Sequence, residues 1–222
     1  MGQAIGETIF EVLYLIFAVV TGIQLIYGGK ESRLPGYAAL ILGCGDAFHL
    51  VPRMYALWTD GTANHPVSLG IGTLITSITM TVFYVLLYLY LKKVPCRETG
   101  KALDICVYIL AALRIILCLF PQNRWTSPDA PLSWGIIRNV PFVILGIVVI
   151  VYAFKWCRKD ALKLLWLAII LSFTFYIPVV LFADSIPAIG ALMLPKTVMY
   201  IWIIIMLRKE CRKKVTDGVI HR

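Results

Sequence analysis

The chain predicts an all-α polytopic membrane bundle of seven transmembrane helices, and three observations carry that prediction. Hydrophobic residues make up 60% of the 222 positions and charged residues only 15%, whereas soluble domains run near half apolar and about a quarter charged. The mean hydropathy is +0.84. Seven separate apolar stretches each approach the roughly 20 residues that a helix needs to cross hydrocarbon. They leave no length for a soluble domain, so residues 1–222 read as one transmembrane unit.

The first span covers about 5–27 and gives way to the basic loop "GGKESR". The second covers 36–58 and ends at "TDGTANHP". The third, 67–91, runs into "KKVPCRETGK". The fourth, 102–120, stops at "PQNRWTSPDAPLS", the longest connection, which serves as a connector or a lid. The fifth, 134–156, precedes "KWCRKDALK". The sixth, 162–184, ends at "ADSIP", and the seventh, 186–208, leads into the tail "RKECRKK". Spans 1–3 and 5–7 share no internal match, and the single Pro121-Gln122 dipeptide has no second copy.

The formal charge of +9 resembles a nucleic-acid signal until the charges are placed. Of the 21 Lys and Arg, all but Arg53, Arg114, Arg124, Arg138 and Lys196 lie in the 1–2, 3–4 and 5–6 loops or the tail. Basic loops stay cytoplasmic, so the expected topology puts the N-terminus outside and the C-terminus inside. Attraction of the tail to anionic lipid is secondary, and no nucleic-acid partner is expected. Short loops and apolar helices fit an integral protein of a bacterial cytoplasmic membrane. The first residues carry Glu7 and Glu11 and no basic run, unlike a cleavable signal peptide. Position 6 is Gly6, where myristoylation wants Ser or Thr. The six cysteines show neither metal spacing nor a disulfide framework.

The informative stretch is "GDAFHLVPRM", Gly45 to Met54. Asp46, His49 and Arg53 recur at i, i+3 and i+7, on one helix face. Lys196 is expected at the middle of span 7, with Arg114 about one turn outward of the middle of span 4. Arg138 and Asn139 belong to the outer part of span 5, Glu11 to the outer half of span 1, and Asp184 to the outer end of span 6. A charge at a helix centre costs roughly 2.5–3.5 kcal/mol on insertion scales. Several of them are tolerable only if they face one another or water. Asp46 with Lys196 is the natural pair, and Glu11 with Arg53 the next.

Arg53, Arg114, Arg138 and Lys196 outnumber Glu11 and Asp46. Guanidinium groups bind phosphate and carboxylate bidentately, so the expected partner is a membrane lipid or a small anionic ligand. The alternative is that Glu7 and Asp184 complete the pairing and the cluster merely fixes helix packing. Asp46, relayed through His49, is the candidate acid–base group. The candidate binding residues are Glu11, Arg53, Arg114, Arg138, Asn139, Asp184, Lys196 and Tyr200. Tyr176, Trp134, Trp202 and Tyr200 serve more often as packing or interface anchors, and Glu7 as an anion in a helix first turn. No metal is expected, because His65 and His221 lie in a loop and the tail and cannot complete a three-ligand set with His49. No cofactor is expected either. Pro52, Pro141, Pro178 and Pro195 each free a carbonyl four residues earlier, and because Pro52, Pro141 and Pro195 lie within three residues of an ionisable side chain, an open, partly hydrated cavity is favoured over simple bending. The small residues of "GCGD" permit close helix approach.

Two resemblances attach to these residues. "GCGDAFHLVPRM" followed by "SLGIGTLITSITMTVFYVLLYLY" resembles the Gly-Asp helix and its successor in the lysoplasmalogenase-like membrane proteins. That resemblance, carried by Gly45 and Asp46, implies an active-site Asp46 and a lysophospholipid substrate with a vinyl-ether chain. An external N-terminus with Lys196 on the seventh span resembles the microbial rhodopsins, in which such a lysine carries retinal as a Schiff base. Span 3 has no acid to act as counter-ion there. The functional expectation is an anionic amphiphile held in an outward-facing basic cavity, with lysophospholipid processing as the chemistry. A proton-coupled transporter or flippase and a seven-helix ligand or light sensor are the alternatives.

Overall fold

The computed structural model describes residues 2–93, 100–157, 160–183 and 185–220, with no side-chain description at 2, 3, 160, 187 and 214–220. Its helices are α1 (Gly2–Tyr27), α2 (Arg33–Trp58), α3 (Pro66–Lys93), α4 (Lys101–Leu119), α5 (Leu132–Trp156), α6 (Leu165–Phe182) and α7 (Met193–Ile220). All seven are long and apolar enough to cross a membrane. The protein is therefore an all-helical, seven-helix integral membrane bundle. Each helix packs on its chain neighbours, α7 closes the ring on α1, and α3 also reaches α5.

The composition of α3 divides the bundle into two layers. Its second half, "VFYVLLYLYL", buries Phe83, Tyr84, Leu87, Tyr88, Tyr90 and Leu91 almost completely. These rings fill the layer toward the basic loops, with Tyr84 edge-on to Phe142 at 5.1 Å and Tyr88 edge-on to Tyr152 at 5.5 Å. Its first half is small and hydroxylated. Thr73, Thr76, Ser77 and Thr81 recur at i, i+3, i+4 and i+8 and form one stripe. Thr73, Ser77 and Thr81 return their hydroxyls to backbone carbonyls one turn back, whereas Thr76 donates across to the Gly45 carbonyl on α2 at 3.0 Å. Short side chains leave space there, and the buried charges gather in that layer.

Close approach of α2 to its neighbours depends on glycine, as "GCGD" predicts. A Cβ on Gly45 would overlap the Thr79 side chain, and one on Gly43 would lie 2.9 Å from the Ala18 methyl. A Cβ on Gly72 would overlap the Phe48 carbonyl, the group that Pro52 deprives of its helical donor. The proline-freed carbonyl is thus covered by the α3 backbone.

The seventh span departs from expectation. Pro187–Leu192 forms a 3-10 segment and the α-helix starts only at Met193. Lys196 therefore belongs to the first turn of α7, not to its middle. Pro195 sits in that first turn, where a missing N–H has no intrahelical acceptor to lose, so it makes no interior kink. Pro52, Pro141 and Pro178 do lie inside helices. Glu7 is likewise displaced from the first turn it was expected to occupy, because α1 begins at Gly2. Asp184, expected to help complete the pairing, lies outside the described residues.

The α2–α3 loop is tied by His65 Nε2 and Asp60 Oδ1, 2.6 Å apart, with the Thr59 hydroxyl donating to the same carboxylate oxygen at 3.0 Å. The His65 contact, then the Thr59 bond, holds the Asp60 carboxyl below its ordinary range. A carboxyl depressed in the fold contributes order above its unfolded pKa of about 3.9 and loses it as pH falls through the folded value. Amide exchange in 59–65, corrected for intrinsic rate, is expected to be slow at pH 6 and to rise below pH 4. Asp60→Asn should exchange quickly at both, and equal protection at the two pH values would contradict the assignment.

Candidate functional site

Six ionisable side chains from four helices meet in the hydroxylated layer: Glu7 and Glu11 from α1, Asp46 and Arg53 from α2, Arg114 from α4 and Lys196 from α7. All but Arg53 are buried. Among the described residues of the cluster three of each sign are present, and the basic excess is local to one end.

The acidic end is a triad. Arg53 Nη2 donates to Glu7 Oε2 at 3.2 Å, and its Nε lies 3.8 Å from Glu11 Oε1. The expected Glu11–Arg53 pair thus forms, and Glu7 joins it as the closer partner. Glu11 Oε2 is buried with no hydrogen-bond partner. Next comes Asp46, whose Oδ2 accepts the Tyr14 hydroxyl at 2.6 Å. Asp46 and Lys196 line one cavity of about 40 Å³ with Glu11, His49, Arg53 and Tyr200. The direct ion pair expected between them is absent; among the described residues neither makes an ion pair within 4 Å.

His49 also differs from expectation. Its Nδ1 lies 3.2 Å from the Thr73 hydroxyl, so it turns toward α3, while Asp46 turns toward α1. Sharing a helix face at i and i+3 places both on the same cavity, yet their side chains engage different neighbours. A direct Asp46–His49 relay is not present.

The basic end is a second cavity of about 60 Å³ that shares His49, Thr76, Met193 and Lys196 with the first. Arg114, Phe142, Tyr176, Met80 and the Thr73–Ser77 stripe complete it. Among the described residues no carboxylate lines it. Arg114 is 1% exposed. Its Nη1 donates to Asn139 Oδ1 at 2.9 Å, and its guanidinium lies 3.7 Å from the centroid of the Phe142 ring. Its Nε is buried without an acceptor, and among the described residues no carboxylate is within ion-pair distance. The Lys196 ammonium sits 4.4 Å from the Tyr176 ring centroid and 5.5 Å from that of Tyr200. Its contacts are aromatic faces, worth about 0.5–2 kcal/mol each, against several kcal/mol to desolvate an ion.

Arg138 does not join them. Its Nη1 donates to Asn123 Oδ1 at 2.9 Å and its guanidinium covers the Trp125 ring at 4.3 Å. One residue along a helix rotates the side chain by about 100°, so Asn139 faces Arg114 while Arg138 faces the α4–α5 connection. There it pins a loop already held by Asn123 Nδ2, which donates to the Leu117 and Phe120 carbonyls, and by Trp125 Nε1, which donates to the Cys118 carbonyl. That connection is an anchored strap.

Sequence reasoning passed over Tyr14 as the donor to Asp46 and over Tyr176 as the platform under Lys196. Tyr176 also donates to Asn139 Oδ1 at 2.8 Å, so Asn139 carries both Arg114 and Tyr176. The hydroxyl stripe of α3 was missed as well, although its i, i+3, i+4 spacing was visible.

In comparisons with protein-family models, with curated proteins and with solved structures, no match was found.

Proposed function

We propose that the protein binds the anionic head group of a membrane amphiphile, with Arg114 and Lys196 as its direct partners. The single observation that carries this reading is Arg114: a guanidinium buried to 1% exposure with an unused Nε and, among the described residues, no carboxylate against it. Removing the partner of a buried charge costs about 3–5 kcal/mol, and a guanidinium supplies the paired donors that phosphate and carboxylate accept. A cavity of about 60 Å³ admits only a few atoms, since one water needs roughly 10–15 Å³ of such space. A phosphate or carboxylate fits that scale; a phosphocholine group does not.

The cluster lies in the half of the bundle that holds the N-terminus, which the distribution of basic loops assigns to the external side. Within this reading Asp46, hydrogen-bonded to Tyr14, is the acid–base group for processing of a bound lysophospholipid. A second reading, proton-coupled transport of the same anion, is favoured by Asp46 and Lys196 lining one cavity without a direct bond. Opposite charges so placed can exchange partners as one of them gains or loses a proton.

The experiment is equilibrium binding to the full chain in nanodiscs of zwitterionic lipid, with dodecyl phosphate and dodecyl phosphocholine as probes. Dodecyl phosphate is expected to bind at least about tenfold tighter, a difference of roughly 1.4 kcal/mol. Equal affinities would contradict the proposal.

A further inference from the structure

A cavity of about 220 Å³ lies between α5 and α6, lined by apolar residues including Val140, Ile144, Ile177 and Val180, and by Asn139 and Tyr176. The last two are also the residues that bond Arg114 and cover Lys196. The groove and the basic cavity are therefore separated by one layer of side chains, and Tyr176 lines both. Val140 is 51% exposed, so the groove opens on the face that the bundle presents to lipid. From Ile136 to Ile144 it follows α5 for about 12 Å at 1.5 Å per residue.

We infer that this groove seats the single alkyl chain of the amphiphile, and that the ligand enters the basic cavity sideways from the bilayer, past Asn139 and Tyr176. The inference rests on the proposed anion site. Three features commit the groove to that occupant. Its wall is apolar except at Asn139, which bonds Arg114, and Tyr176, which lines the cationic cavity, so its polar groups are those that meet the cations, as in an amphiphile with one charged head. Its long shape matches an alkyl chain. Both helices also carry a proline two residues beyond the doorway residue, Pro141 after Asn139 and Pro178 after Tyr176. Each removes the donor for the carbonyl four residues earlier, at Ile137 and Thr174. Both helices are thus weakened beside the two side chains, Asn139 and Tyr176, that stand between groove and cavity.

The ligand class that follows is a single-chain alkyl or acyl compound ending in phosphate or carboxylate. Substitutions at lipid-facing positions test it without touching the buried cluster. Val140→Trp and Val180→Trp place an indole in the groove from opposite walls, and Ile116→Trp places one on a lipid-facing position of α4 that does not line it. The probes are dodecyl phosphate and inorganic phosphate, measured on the full chain in zwitterionic nanodiscs. Both groove variants are expected to weaken dodecyl phosphate about tenfold or more, by excluding its chain, and to leave inorganic phosphate binding unchanged; Ile116→Trp should leave both unchanged. Dodecyl phosphate binding within about twofold of wild type in a folded groove variant would overturn the inference, as would parallel loss of inorganic phosphate. If wild type binds neither probe, the anion site itself is wrong and the groove proposal falls with it. Inorganic phosphate binding with no gain from the dodecyl chain would leave the anion site standing and overturn the groove alone.

Discussion

Arg114→Met is expected to abolish binding of an alkyl phosphate while leaving the bundle as stable as wild type, or more stable. The two halves of that result have separate causes. Charge-assisted bonds from a buried guanidinium to an oxyanion contribute about 1.5–3 kcal/mol each, so losing two of them weakens binding on the order of a hundredfold or more. Among the described residues the same side chain is a buried cation with one hydrogen bond, an aromatic face and no counter-charge. Replacing buried ionic groups with apolar side chains of similar volume is often neutral or stabilising by about 1–4 kcal/mol. Asn139 would not be stranded, because its Oδ1 keeps the Tyr176 hydroxyl. Binding in nanodiscs and unfolding in mixed detergent read the two effects independently. A scaffold role for Arg114 predicts the reverse pattern, with stability lost.

Arg53→Met is expected to do the opposite. Arg53 is the cation between two buried carboxylates, Glu7 and Glu11. Removing it leaves two like charges facing each other with an already unpartnered Glu11 Oε2. Breaking a buried pair costs about 3–5 kcal/mol, and the lower end applies here because the Arg53 side chain keeps 25% of its exposure. Unfolding in mixed detergent should show a loss of about 3 kcal/mol, and adding Glu11→Gln to the variant should restore part of it. Alkyl phosphate affinity of the folded fraction should stay near wild type. Unchanged stability would mean that the triad is not what the distances imply. Two arginines in one polar layer thus receive opposite roles, and the difference lies wholly in what each one faces.

The seven helices were legible because the membrane leaves a chain few choices: apolar runs of sufficient length, punctuated by basic loops, have one solution. Asp46, Arg114 and Lys196 were legible for the related reason that a charge in hydrocarbon is costly, so its presence alone draws attention. Facing was harder to read. Arg138 and Asn139 are adjacent in sequence, and only the placement of the α4–α5 strap decides which of them looks inward. The start of α7 was hidden because "IPAIGALMLP" is apolar throughout, so hydropathy runs across the change from 3-10 to α geometry. Pro195, read as an interior proline that frees a carbonyl, marks a first turn instead. Tyr14 and Tyr176 were passed over because an aromatic residue at helical spacing ordinarily belongs to the core, and in the second half of α3 such residues do. The hydroxyl stripe Thr73–Thr76–Ser77 was the clearest unused signal, since polar periodicity on a transmembrane helix requires something polar to face.

The most direct test of the claim that Arg114 awaits an anion is native mass spectrometry of the full chain released gently from membranes, wild type beside Arg114→Met. A single-chain acidic amphiphile is expected on the wild type and not on the variant. A folded wild-type protein carrying nothing acidic, or the same adduct on both proteins, would contradict that claim.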